Sequence, residues 1–439
     1  MRLPELRRRW AIRLRHSLPE LLVILPAVVL TVTGMAWLWP SGTPGSATPD
    51  DSQYLNGTVT DVLHAACPEP SSATGEVPPG VSPGQIDCGT VTVRLASGPN
   101  RGEEITVDVP SGPGAPDVTA GDEVVLLYLP DTPVGEPYQI ADHQRGRQLW
   151  VIAAAFLLAV IAFGRWRGVT AVAGLGVTFA ILLLFVVPAI LAGESPLLVA
   201  VVGAAAIMLT VLYLTHGVNR STSVAVIGTL ASLTVTAVLS AAAVGAMRLT
   251  GAADEQASYV SIVHHVDLQG LLLAGILIGA LGVLDDVTVT QAATVSELGA
   301  ANPAYGFRQL YRGATRVGRA HIASVINTII LAYAGASLPL LILIIDSNQP
   351  LGRVLTNQLV AQEIVRSMVG TLGLISAVPI TTALAALAAG RSRRPADQSG
   401  EPLPSDQTVL DPQGGAPDER LDRLAALSRR RRDQEAEPW

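Results

Sequence analysis

The chain has 439 residues, 49% of them hydrophobic and 15% charged, with a net charge of −7 and a mean hydropathy of +0.42. Long apolar runs separated by polar segments define the membrane class. No basic stripe interleaved with aromatics occurs, which excludes nucleic acid as a partner, and the 29 basic residues are all Arg.

The elements follow in chain order. Arg2, Arg7, Arg8, Arg9, Arg13 and Arg15 precede an apolar run from Leu21 to Trp39. Its core is longer than that of a typical signal peptide and ends in Trp37 and Trp39, an interfacial anchor pattern. Residues 1–39 therefore read as an Arg-rich cytoplasmic start and an uncleaved first transmembrane helix. Residues 40–52 are a linker rich in Pro, Gly and Ser.

Residues 53–143 change character. Alternating runs at Gly57–Leu63, Thr90–Leu95, Ile105–Val109 and Glu123–Leu129 are separated by Gly and Pro turns, which predicts a small extracytoplasmic all-β domain, a five-stranded barrel or sandwich. The only cysteines, Cys67 and Cys88, fall here as a disulfide candidate. Residue types alone leave the bond open. An envelope protein partner through residues 53–143 is one expected use of such a module.

From 149 to 389 the chain is a transmembrane helical domain, with spans at Leu149–Phe163, Gly168–Leu191, Pro196–Leu214, Ser223–Met247, Leu268–Leu284, Ile322–Ile345 and Ile364–Ala389. Pro188, Pro339 and Pro379 lie inside them, as transmembrane helices tolerate. The fold class is thus an all-α polytopic membrane protein of about eight transmembrane helices with a β domain inserted after the first. Arg165, Arg167, Arg220, Arg308, Arg312, Arg316, Arg319, Arg391, Arg393 and Arg394 fall in alternate loops, which predicts a cell-membrane protein with both termini cytoplasmic. Arg145, Arg147 and Arg248 dissent. Residues 391–439 read as a disordered cytoplasmic tail, ending near the cluster Arg429–Arg432.

The most informative stretch runs from Asp267 to Glu297. Leu268–Leu284 is about 25 Å of helix, which carries Asp285 and Asp286 to the far end of a bilayer core. An acidic pair at that depth is a functional-site hypothesis, although a plain helix end at the interface explains it as well. Asp267 is placed to cap the helix, and Gly275 with Gly279 lets a neighbour approach. Helical steps put Asp286, Thr290, Thr294 and Glu297 on one face. The next span brings His321, Ser324, Asn327 and Thr328 to similar depth. Thr229, Ser232, Thr236 and Ser240 form a polar stripe in an earlier span, with small hydroxyls at a helix interface as the commoner meaning of such a stripe. His264, His265 and Asp267 do not make a metal site, because adjacent histidines diverge on a helix. No nucleophile elbow, Walker loop or dinucleotide fingerprint occurs, so neither an enzyme nor a cofactor is expected.

Two segments, GALGVLDDVTVTQAATVSEL at 279–298 and RVGRAHIASVINTIILAYAGASLPLLILI at 316–344, resemble the YibE/F family of bacterial multi-pass membrane proteins, and the resemblance covers roughly residues 20–390. It implies an Asp at the position of Asp286 and an Asn-Thr pair at Asn327 and Thr328. Asp285 is similar to a subgroup variation, and Ala320 stands where the family often has Asp. The resemblance implies an architecture and no established activity. The expected function is a permease or secondary-active transporter, proton- or cation-coupled, in which Asp285, Asp286, Thr290, Thr294, Glu297, His321, Asn327 and Thr328 form an ion site for an unknown small solute or ion. The alternative is a non-transporting scaffold for cell-envelope assembly. The lipid bilayer is a partner under either reading.

Overall fold

A computed structural model describes residues 22–40, 53–65, 88–111, 115–129, 137–252, 255–346 and 350–391. The Arg-rich start, Cys67 and the tail from 392 lie outside the described residues. Cys88 opens a strand.

Helix α1 (Leu22–Trp37) is apolar and shorter than the membrane-crossing helices that follow. Its end packs into the bundle, where Leu38 is buried and Trp39 stacks on Phe185 with ring centroids 6.0 Å apart.

Five strands come next: β1 (Gln53–Ala65), β2 (Cys88–Leu95), β3 (Glu104–Asp108), β4 (Glu123–Tyr128) and β5 (Tyr138–His143). They form one antiparallel sheet in the order β3-β2-β1-β4-β5. Leu55, Val59, Val91, Val93, Leu95, Val107, Val124 and Leu126 fill its core, the two-residue alternation of a one-sided sheet. The edge strands β3 and β5 approach each other, so the sheet curls into a partly open barrel of five strands. Gly57 is required at the centre of β1, because a Cβ there collides with Val93.

The rest is helical. Helix α2 (Gly146–Gly164) turns into α3 (Trp166–Ile181) through Arg165 alone, at φ 51°. This tight hairpin needs Gly168, since a Cβ there meets the Val160 carbonyl. Beyond α3 the chain widens into a π-turn at Leu182–Val186 and resumes as α4 (Val187–Leu191). Pro188 offers no amide to the preceding turn, which accounts for the altered hydrogen-bond register.

Then follow α5 (Pro196–His216), α6 (Arg220–Ala246), α7 (Glu255–His264), α8 (Leu268–Ala301), α9 (Phe307–Ala336), α10 (Leu338–Asp346), α11 (Leu351–Leu355) and α12 (Gln358–Arg391). Among the described residues, seven helices are long and apolar enough to cross a membrane, and α1 is a shorter eighth. The chain is a multi-pass membrane protein of helices with a small antiparallel sheet near its start.

Two expected spans differ in extent. Helix α8 does not stop at Leu284 but continues to Ala301 as 34 residues without a break, about 51 Å against a hydrocarbon core of about 30 Å. The span drawn from Ile322 to Ile345 is two helices, because α9 ends at Ala336 and α10 restarts before Pro339, whose ring cannot continue the ladder.

Helices α6, α8 and α12 form the central trio, with α5 against α8, α3 against α5, α2 against α3, and α9 against both α8 and α12. Leu277, Leu281, Leu284 and Val287 of α8 meet Met208 and Leu212 of α5, Leu233 of α6 and Leu374 of α12 in the main apolar core. Helix α12 passes through Pro379 without ending.

Candidate functional site

Asp267 caps α8 as its position predicts: its carboxylate accepts from the amides of Gln269 at 3.1 Å and Gly270 at 3.0 Å. From that fixed end the helix carries the acidic pair inward. Asp285 is half-buried, and its Oδ1 is enclosed without a hydrogen-bond partner among the described residues. Its backbone carbonyl accepts from Thr288 Oγ1 at 3.1 Å. Asp286 is exposed on the adjoining face and is the charge that acts on Asp285.

Asp286 also acts on His216 at the end of α5, together with Arg167 from the first turn of α3. The Thr215 hydroxyl donates to the Val211 carbonyl at 2.8 Å and lies 2.8 Å from His216 Nδ1. That pairing is satisfied when Nδ1 carries the proton, which leaves Nε2 as the acceptor. Three helices thus bring two carboxylates, an imidazole and a guanidinium to one end of the bundle.

The remaining predicted residues divide. Thr290 and Thr294 are half-buried, with Thr294 Oγ1 donating to the Thr290 carbonyl at 2.7 Å, and Glu297 is exposed. His321 is half-buried and its Nδ1 is enclosed without a partner among the described residues. Ser324, Asn327 and Thr328 are exposed, and Thr328 Oγ1 donates to Ser324 O at 3.2 Å. No described hydrogen bond joins Asn327 or Thr328 to the acidic pair. Helix α9 instead turns Gly318 against Gln291 and brings the Tyr333 hydroxyl to Gly279.

The polar stripe of α6 is fully buried. Thr229, Ser232, Thr236 and Ser240 each donate to the carbonyl four residues earlier, at 2.7–2.9 Å. Thr229 also meets Thr288 of α8, oxygen to oxygen, at 2.6 Å. One turn further along α8, Gln291 Oε1 accepts from Thr382 of α12 at 2.9 Å, while Gln291 Nε2 is enclosed without a partner among the described residues.

Sequence reasoning did not single out His216, Thr288, Gln291, Gln362, Thr381 or Thr382 as site residues. The signal available was a polar residue in a mixed polar and apolar stretch, as in VTVTQAATV around Gln291. Spacing shows such a residue to be polar and does not show what it meets. A separate cleft of about 150 Å³ opens where α6 begins and α12 ends, lined by Ser221, Val224, Ala292, Ser296 and Ala385 among others. Arg220 also lines it, beside a wall rich in alanine.

In comparisons with known proteins, the family described as YibE/F-like protein matches residues 152–391. No curated protein and no solved structure matches the chain.

Proposed function

From the premise that the chain belongs to the YibE/F-like family, we propose that it is a permease or secondary-active transporter, driven by protons or a cation that binds at Asp285 and Asp286. The observation that carries this reading is the enclosed Oδ1 of Asp285, unpartnered in a helix built to cross a membrane. A carboxylate held there without a fixed donor is a group for a mobile proton or ion. His216, between the opposed charges of Arg167 and Asp286, is a second titratable group on the side where Asp286 is exposed. We place this end in the cytoplasm from the Arg distribution, and the β module outside. Thr290, Thr294, Glu297, His321, Asn327 and Thr328 remain in the proposal as polar groups on the approach rather than as direct ligands. It assigns no catalytic residue.

The test uses purified full-length protein in liposomes loaded with a pH-sensitive dye. Wild-type protein exchanges protons or sodium across the bilayer, and Asp285→Asn or Asp286→Asn stops that exchange with folding unchanged. Equal flux in both variants sinks the proposal.

A second reading rests on the sheet, where Tyr54 and Leu63 of β1 are exposed apolar side chains. As a docking face for an envelope protein, residues 53–143 carry the function. Deleting them then abolishes it, while both Asp variants are silent.

A further inference from the structure

Buried polar atoms without partners are rare in folded proteins and are accounted for by an unseen water, an ion or a functional demand. Inside a membrane each such atom costs several kcal/mol. Gln362 of α12 is fully buried, yet among the described residues neither its amide nitrogen nor its carbonyl oxygen has a partner. One turn on, Arg366 pairs with Glu363 at 2.8 Å, but its Nε is enclosed and has no partner among the described residues. Neighbouring polar groups at this end are satisfied, since Gln358 bonds Thr250 and Gln269 Nε2 donates to Leu249 O. Three vacant hydrogen-bonding positions therefore gather within five residues. Around them Val365 and Val369 pack with Val244, Leu249 and Leu272, none of which offers a hydrogen bond.

The face on which they lie is the informative part. Gln362, Arg366, Val369, Gly373, Ala377 and Thr381 follow one another at steps of four and three, which keeps them on a single side of α12. Contacts at the far end of that series show where it points. A Cβ added at Gly373 collides with Thr236 Oγ1 of α6, and one added at Gly228 of α6 collides with Thr381 Oγ1. The two helices are antiparallel, and each presents a glycine and, eight residues later, a threonine that fills the other's notch. The face of α12 that holds Gln362 is therefore the face that meets the α6 hydroxyl stripe.

We propose that the α6–α12 seam is the polar conduit of this protein, with Gln362 and Arg366 forming a binding subsite at one end. The two glycine–threonine notches are the constriction that closes it in this state. From Gln362 to Thr381 is about 29 Å along the helix, a hydrocarbon core's thickness. The subsite takes water and a small uncharged or zwitterionic solute. Its vacant donors, Gln362 Nε2–H and Arg366 Nε–H, need an acceptor, and Gln362 Oε1 needs a donor. Glu363 already balances the charge of Arg366, so a bare anion gains little there. The proposal rests on the permease reading for the movement of solute, but not for the hydration of the seam.

The test is chemical access in full-length protein reconstituted in nanodiscs, with Cys67 and Cys88 replaced by Ser. Gln362→Cys is expected to react with neutral hydroxyethyl methanethiosulfonate about tenfold or more faster than Leu277→Cys in the main apolar core, the difference that a hydrated site shows over a packed one. Equal, slow rates overturn the conduit. Hydroxyl-radical footprinting of the unsubstituted protein avoids dependence on the variants' folding. Val365 and Val369 should oxidise faster than the comparably buried Leu281 and Ile207 of the main core, and equal oxidation again overturns it. A reactive Gln362→Cys in a protein whose Asp285 and Asp286 variants retain flux keeps the seam and removes the acidic site. An unreactive one with both Asp variants dead does the reverse.

Discussion

Thr229 Oγ1 and Thr288 Oγ1 lie 2.6 Å apart with no solvent exposure on either residue, and they form a direct polar tie between α6 and α8. Each hydroxyl also has a carbonyl acceptor on its own helix, Ala225 for Thr229 and Asp285 for Thr288, so whichever one donates across the pair gives up that back-bond.

Replacing either threonine by valine keeps the shape and removes the tie. Each single substitution is expected to cost about 1 kcal/mol, the range of interhelical hydrogen bonds in membranes. The double substitution should cost less than the sum. Equilibrium unfolding of the four proteins in a mixed detergent system gives the coupling, and strict additivity would show that the contact contributes nothing.

The α6–α12 notches predict a repair. Gly373→Ala forces its methyl onto Thr236 Oγ1 and should destabilise by about 1–3 kcal/mol, as overpacking does. Adding Thr236→Ala removes the obstructing oxygen and should restore most of the loss. Gly275→Ala, with open space around it, is the control and should be neutral or mildly stabilising. Melting temperatures of the purified variants distinguish these outcomes, and a Gly373→Ala protein as stable as wild type refutes the crossing.

Gln291 and Thr382 give an asymmetric pair. Thr382→Val leaves both polar atoms of Gln291 buried without partners and should cost about 1–3 kcal/mol. Gln291→Leu removes the enclosed Nε2 at the same time as the acceptor, so it should cost less than Thr382→Val. The reverse ranking in thermal unfolding would show that Gln291 Nε2 has a partner after all, such as a bound water.

In the β module, the Asp122 carboxylate accepts from the Thr119 amide at 2.8 Å and hydroxyl at 3.0 Å. These bonds, the amide first, hold its pKa below the ordinary 3.8. A depressed carboxyl pKa contributes stability that is complete above the unfolded value and is lost as pH falls through the folded one. Below about pH 4 the turn should therefore open in wild-type protein. Pepsin, active in that range, should cut near residues 117–123 more readily as pH falls. Asp122→Asn should show little such dependence, and identical profiles would contradict the linkage.

Much of this architecture is legible in the sequence. The alternation of Val91, Val93 and Leu95 announces a one-sided strand, and Asp267 before an apolar run announces a helix cap. The stripe Thr229, Ser232, Thr236 and Ser240 proves to be one buried face, because helical periodicity is local and four residues suffice to reveal it. Which helix that face meets is not local. Asn327 and Thr328 share a depth with the acidic pair, yet they are exposed, because α9 presents Gly318 and Ile322 inward and turns those two residues out. Gln362 is silent in the sequence for the same reason: a single amide acquires its meaning from Val365, Val369 and α6, which are remote or apolar. Helical spacing carries α8 past the two aspartates to Glu297 but leaves open whether it breaks there, and contacts with α6 and α12, which are not local, accompany it unbroken to Ala301.

Pro379 gives α12 a property that its continuity conceals. The ring removes the amide that would close on the Ile375 carbonyl, so the helix is stiff on either side and compliant at one turn. That turn is adjacent to Thr381 and its notch in Gly228. One half of α12 is tethered near its start by Gln358 on Thr250, and the other is tied to α8 through Thr382 on Gln291. Mechanically these are two rods sharing a soft joint, and a swing of one half need not be transmitted to the other.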